Sequence, residues 1–265
     1  MLYLFFLFIL GTVVGSFLNV CIYRLPRGES IVYPHSHCPQ CDHALNALDL
    51  IPVLGYFLLK GKCRYCKAPI SMRYPLVEFM SGTLFVGVGK SFPAAALPLD
   101  FIFNLLFVSL MLLVFFTDLE QQVIPDAASV SGIFLGLFHN YFKSISYQSQ
   151  GPMTPFLSAV YGMLLGYLLL LLIARLGERM FKKEVMGEGD LYLAALLGAY
   201  LGWEGALLSV FLAYLLAGAA VLVFMLFKRV KMGDYVPFGP ALAAGGVLSL
   251  FFGPQILALY LGVFK

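Results

Sequence analysis

The sequence predicts an all-α polytopic membrane protein, with about eight transmembrane helices and a small cytoplasmic zinc-binding loop domain. Three observations carry that expectation. Of its 265 residues, 61% are hydrophobic and only 12% charged, and the mean hydropathy is +0.90, more apolar surface than a soluble domain of this length buries. Apolar stretches near spanning length recur along the whole chain. The one sizeable polar segment, 24–75, holds two Cys-x-x-Cys pairs.

The first 23 residues, MLYLFFLFILGTVVGSFLNVCIY, are long enough to span a bilayer. They lack a basic leading region and an A-x-A-like cleavage site, so they read as a retained helix. Further apolar stretches follow at 76–97, 99–117, 127–142, 155–175, 190–203, 205–227 and 240–262. Lys90 interrupts the first of these, and 127–142 and 190–203 are short. At about 1.5 Å per residue, 14 residues reach about 21 Å of a roughly 30 Å core. GPMTP at 151–155 reads as an exposed loop, and no internal repeat stands out. The expected division is a first helix at 1–23, a four-cysteine domain at 24–75 and a membrane-embedded domain at 76–265.

Orientation follows from the basic residues. Eight spans with the N-terminus outside place 24–75, 118–126, 176–189 and 228–239 on the cytoplasmic side. Those segments and their margins hold 14 of the 17 Lys and Arg residues, leaving Lys90, Lys143 and Lys265. That is the bias the positive-inside rule requires.

In the loop, Cys38-Pro-Gln-Cys41 and Cys63-Arg-Tyr-Cys66 suit a tetrahedral zinc site of four thiolates, two from each tight turn. Two disulfides are the alternative, disfavoured by a cytoplasmic location. A redox pair would need a βαβ context. His35, His37 and His43 are possible substitute ligands, and Cys21 reads as a packing residue within the first span. So short a loop builds little core, so zinc would supply much of its folding energy.

Two aspartates stand at span boundaries on the same expected face: Asp118 after FNLLFVSLMLLVFFT, and Asp190 before LYLAALLGAYLG. A carboxylate at a membrane boundary is costly to desolvate and is a functional candidate by default. Asp118 sits at a helix C-terminus, where its charge opposes the helix dipole; Asp190 opens a span, where the dipole favours it. Unequal environments suit a pair in which one carboxyl accepts a proton and the other donates one. Asp126, beside Pro125, reads as a helix-start residue, and Glu188 in Gly187-Glu188-Gly189-Asp190 reads as water-facing.

With these residues in view, the chain resembles the type IV prepilin peptidases, a family of GxGD intramembrane aspartic peptidases. The resemblance rests on Gly15-Ser16-Phe17-Leu18-Asn19-Val20, Tyr23-Arg24-Leu25-Pro26, the two cysteine pairs, Asp49-Leu50-Ile51-Pro52, Arg73-Tyr74-Pro75-Leu76-Val77-Glu78, Asp118, the GEGD run and Pro237-Phe238-Gly239-Pro240. It covers nearly the whole chain. It implies a catalytic dyad of Asp118 and Asp190 in a peptidase domain over 76–265. It implies cleavage of a basic leader from prepilins or pseudopilins, typically between Gly and Phe, at the cytoplasmic face of the bacterial inner membrane. It also implies methylation of the new N-terminal amine with S-adenosylmethionine. Many members carry a basic residue where this chain has Tyr192. The residues alone do not derive methyl transfer: no G-x-G-x-x-G follows a strand, and the loop is too short for a doubly wound domain. The expected partners are the prepilin substrates and the lipid bilayer, with no nucleic acid. The competing readings are a peptidase whose zinc loop is only structural, and an ion-coupled transporter using membrane carboxylates.

Overall fold

The long apolar runs are helical over most of their described length, and the run that contains Pro93 leaves its helix at Ser91, before that proline. The computed structural model describes residues 1–92, 98–146, 154–183, 185–228 and 236–263. Its helices are α1 (Leu2–Arg24), α2 (Leu54–Leu58), α3 (Arg73–Ser91), α4 (Pro98–Gln121), α5 (Asp126–Ser146), α6 (Pro155–Phe181), α7 (Glu188–Leu226) and α8 (Gly239–Val263), with a 3-10 turn at Leu25–Arg27. Five of them, α1, α4, α6, α7 and α8, are long and apolar enough to cross a membrane among the described residues. The fold is therefore all-helical and of multi-pass membrane type; the expected count of about eight spans stands beside five by this measure. Residues 151–153 of the expected GPMTP loop, most of 228–239 and Lys265 lie outside the described residues.

The chain divides within α4 into two units, Met1–Leu113 and Val114–Lys265. In the first, α1 packs on α3 through small residues. A methyl group built on Gly11 would meet Gly82 Cα at 2.7 Å, and one on Gly15 would meet Glu78 Cα at 2.7 Å. Backbones approach this closely only where side chains are absent, as in membrane helix pairs of the G-x-x-x-G kind. The outer face of α1 presents Phe5, Phe6, Ile9, Val13 and Phe17, an apolar stripe suited to lipid.

In the second unit, α6 and α7 use the same device. A methyl group on Gly162 would stand 2.6 Å from Gly198 O, and one on Gly166 2.5 Å from Ala194 O. The opposite face of α6 exposes Leu157, Tyr161, Leu164, Leu168 and Leu172. A helix apolar on both faces, small inward and large outward, is stable only in lipid or a large core.

α7 is broken at Gly202, whose φ of 75° and ψ of −178° are closed to other residues. The two arms fold back on one another. Gly246 of α8 packs on Leu197, while its neighbour Gly245 packs on Ser209 O and Ala213 N. In a straight helix, Leu197 and Ser209 would stand about 18 Å apart. A break strands the carbonyls of the preceding turn. Asn140 of α5 meets this need: its Nδ2 donates to Ala199 O and Tyr200 O, each at 3.0 Å. The stretches 190–203 and 205–227, read as separate from the sequence, are the two arms of this one broken helix.

Candidate active site and metal centre

α4 runs one turn past Asp118, ending where Gln122 turns left-handed (φ 53°) and donates its N–H to Asp118 O at 2.9 Å. Asp118 is thus held inside a helix end rather than in a loop, and is 5% exposed. Asp190 lies in the first turn of α7 and is also 5% exposed. The two carboxyl groups are within Coulombic reach of one another. The Pro237-Phe238-Gly239-Pro240 run delivers the start of α8 to the same place. The Gly239 N–H hydrogen-bonds the Asp118 carboxyl, and a methyl group built on Gly239 would stand 2.5 Å from Asp118 Oδ2. Only glycine lets the chain approach so near. Ile124, pinned before Pro125, fills the space between the two glycine positions: built methyls would meet it at 2.9 Å from Gly189 and 3.1 Å from Gly239.

Folding α7 back at Gly202 has a second effect on this site. Gly202 stands twelve positions after Asp190 and Tyr214 twelve positions after Gly202, so Tyr214 returns to the level of Asp190. The two groups interact electrostatically, and the Tyr214 ring packs on Phe238 at 4.9 Å. Asp126 and Glu188 are both exposed, each the first residue of its helix. The sequence marks the two aspartates but gives the Pro-Phe-Gly-Pro run no role of its own. Neither Tyr214 nor Ile124 is marked as a site residue, because nothing in their local pattern reveals what the folded chain brings near them.

The four-cysteine loop, within the first unit, builds a separate centre. The Sγ atoms of Cys38, Cys41, Cys63 and Cys66 all lie within 4.8 Å of one another, and none is in a disulfide. Four sulfurs about 2.3 Å from a zinc ion stand about 3.8 Å apart along each tetrahedral edge; Cys38 Sγ and Cys66 Sγ are 3.8 Å apart. The donor set fits zinc. The two knuckles repeat each other at an offset of 25 residues, a local repeat that the sequence reading missed. Cys38 and Cys63 each accept the N–H four residues on, from Asp42 and Lys67, at 2.9 and 3.1 Å. Asp42 and Lys67 are both left-handed, and single bridges pair His37 with Ala44 and Lys62 with Pro69. Backbone N–H groups of Cys66 and then Tyr65 lower the Cys63 thiol to about 7, while Cys41, despite the His43 N–H, is pushed up to about 12 by desolvation and by the Cys66 and Cys38 sulfurs beside it. The histidines stand apart: His43 packs on the Tyr65 ring at 3.5 Å, and His37 Nδ1 faces His35 O. The knuckle is braced by Arg64, whose Nε and Nη2 donate to Asp49 Oδ1 at 2.8 and 2.6 Å.

A multi-pass helical fold with a buried carboxyl pair and a four-thiol centre defines a class of membrane protein rather than one activity. The comparisons narrow it. The profile of the bacterial Peptidase A24 N-terminal domain matches residues 9–92, and that of the type IV leader peptidase family matches residues 105–233. A Prepilin leader peptidase/N-methyltransferase of Pseudomonas putida is 37% identical over 94% of this chain and 91% of its own length. One from Burkholderia pseudomallei (strain 1026b) is 37% identical over 96% and 87%, and one from Aeromonas hydrophila 32% over 98% and 94%. No solved structure matches. The chain belongs to the type IV leader peptidase family.

Proposed function

We propose that this protein cleaves the leader peptide of type IV prepilins or pseudopilins at the cytoplasmic face of the bacterial inner membrane, and methylates the new N-terminal residue. The carrying observation is the convergence of two buried carboxyl groups, Asp118 and Asp190, at neighbouring helix ends in a chain of this family. One carboxylate takes a proton from water as it attacks the scissile carbonyl. The other, protonated, supports the developing oxyanion and then protonates the leaving amine. Sharing one proton between close carboxyls is favoured because both cannot ionise cheaply. The Gly239 N–H, aimed at Asp118, holds that carboxyl in place.

The remaining assignments belong to the same reading. Cys38, Cys41, Cys63 and Cys66 hold one structural zinc. S-adenosylmethionine supplies the methyl group. Eight crossings arise if α3 and α5 also span and the two arms of α7 each cross, which returns both aspartates to the cytoplasmic face. Incubation of purified protein with a prepilin and labelled S-adenosylmethionine, read by mass spectrometry, tests the proposal. The expected product is a mature pilin beginning with a methylated residue; an intact leader after prolonged incubation refutes it. Mature pilin without methyl would leave a peptidase with a structural zinc loop.

A further inference from the structure

The first unit contains a polar cluster that the carboxyl pair and the thiol centre do not use. It lies on the α1–α3 seam, where Gly15 brings α1 against Glu78 and Ser81. Three side chains there are more than nine-tenths buried: Asn19 is 2% exposed, Ser81 1% and Glu78 7%. Asn19 Nδ2 donates to Tyr74 O at 3.1 Å, but Asn19 Oδ1 and Ser81 Oγ meet no hydrogen-bond partner among the described residues. A serine that only completes its own helix bonds the carbonyl four residues back, as Ser109, Ser144 and Ser209 do; Ser81 does not. Buried polar groups without partners are unfavourable and therefore informative. Glu78 takes the Ser16 hydroxyl and, at 2.6 Å, the N–H of Val53.

Val53 is held in an unusual state. Its φ of 63° and ψ of −54°, with Leu54 N donating to Pro52 O at 2.6 Å, describe a γ-turn of the rare, strained hand. A β-branched residue is the least suited to that conformation. Such strain persists only where surrounding contacts hold it, and it gathers at functional clamps. Here the contacts are identifiable. Glu78 holds the turn from below, and Asp49, four residues earlier, is fixed by Arg64 of the second cysteine knuckle.

We propose that Glu78, with Asn19 and Ser81, forms the site that receives an alkyl ammonium, the freed N-terminal amine awaiting methylation, and that the Val53 turn is the strap it displaces. This inference rests on the methyl transfer proposed above and gives it a place. The chemistry matches the inventory. Asn19 Oδ1 and the Glu78 carboxylate are acceptors, so the cluster suits a cationic ligand rich in N–H donors and repels an anion. When the ammonium enters, it replaces the Val53 N–H on Glu78, and the γ-turn relaxes. The ammonium then gives one proton to the Glu78 carboxylate. Its freed lone pair attacks the methyl carbon of S-adenosylmethionine; the N–C bond forms as the C–S bond breaks, and the sulfur keeps that electron pair. Glu78 finally releases its proton to water.

Two measurements test this. In the first, Glu78→Gln keeps an oxygen for Val53 N–H but loses the charge and the base. Leader cleavage is expected within about threefold of wild type while methyl incorporation into a pre-cleaved peptide beginning with Phe falls about a hundredfold, the scale of a lost general base. Methylation by Glu78→Gln at the wild-type rate overturns the inference while leaving methyl transfer intact; no methylation by folded wild type removes the underlying reading instead. The second measurement uses wild-type protein only, so a poorly folding variant does not block it. Hydrogen exchange of segment 50–55 is followed with the free-amine peptide, the same peptide N-acetylated, and S-adenosylhomocysteine alone. Faster exchange with the free-amine peptide only supports the substrate amine as occupant. Faster exchange with S-adenosylhomocysteine alone moves the ammonium site to the amino group of the methyl donor and overturns the substrate assignment. No change with any of the three, or equal change with the acetylated peptide, overturns the site.

Discussion

Asp118 and Asp126 are eight residues apart on either side of one proline, yet only one is buried. That contrast sets the first prediction. Asp118→Asn and Asp190→Asn should each abolish leader cleavage without loss of folded protein, because an amide keeps the size of the carboxyl but cannot share its proton. Asp126→Asn should cleave almost normally, since asparagine still starts a helix. Assayed in detergent against a prepilin, a dead Asp126→Asn beside an active Asp118→Asn would falsify the assignment. Gly239 supports a second prediction. Its added methyl group in Gly239→Ala would fall 2.5 Å from Asp118 Oδ2, so the carboxyl must swing away. A shift of about 1 Å in a catalytic group costs on the order of a hundredfold in rate. Cleavage kinetics of purified Gly239→Ala at unchanged melting temperature would show it; a wild-type rate would mean the loop does not set the carboxyl's position.

At the scale of elements, the break in α7 is an internal device with its own stability. Gly202→Ala puts a side chain into a conformation reserved for glycine, with Ser158 Oγ 2.5 Å from the new methyl, and should destabilise the protein by about 1–3 kcal/mol. Asn140→Leu should do similar harm, since it strands the two carbonyls at the break, and buried acceptors left unpaired cost about 1–3 kcal/mol each. Thermal unfolding in detergent measures both, and a melting temperature unchanged in both variants would contradict the account of the kink. The cysteine knuckles give the fourth prediction: one zinc per chain by elemental analysis, absent from a Cys38→Ser/Cys63→Ser variant. Persistent stoichiometric zinc in that variant would put the ligands elsewhere. The 25-residue repeat of the knuckles explains why four sulfurs converge without a core to hold them: each turn presents two from backbone geometry alone.

For the whole molecule, orientation is the testable quantity. The positive-inside bias predicts Lys62 and Lys183 on the cytoplasmic side and Lys143 outside. Cysteines introduced singly at those positions should react with a membrane-impermeant reagent from outside intact cells only at 143. Labelling of 183 from outside would place the GEGD aspartate on the wrong face and end the dyad proposal. The same experiment bears on the number of crossings: opposite sides at 62 and 143 require an odd number of crossings among α3, α4 and α5, and opposite sides at 143 and 183 require α6 to cross.

The sequence by itself determined that the chain is helical and of membrane type, because hydropathy over about 20 residues is a local sum that needs no partner. It also marked Asp118, Asp190 and the four cysteines, because a charge or thiol in an unsuitable setting is conspicuous wherever the chain later folds. The G-x-x-x-G spacings at Gly11/Gly15, Gly162/Gly166 and Gly198/Gly202 were equally legible, though the sequence reading left them unused. Only the tertiary structure decided that 190–203 and 205–227 are arms of one broken helix, that Tyr214 returns to Asp190, that Gly239 presses on Asp118, and that Glu78 holds a strained Val53. Each of these is a meeting of residues distant in sequence. Such meetings are set by which small residues let which backbones approach, a property of pairs of elements that neither segment carries alone.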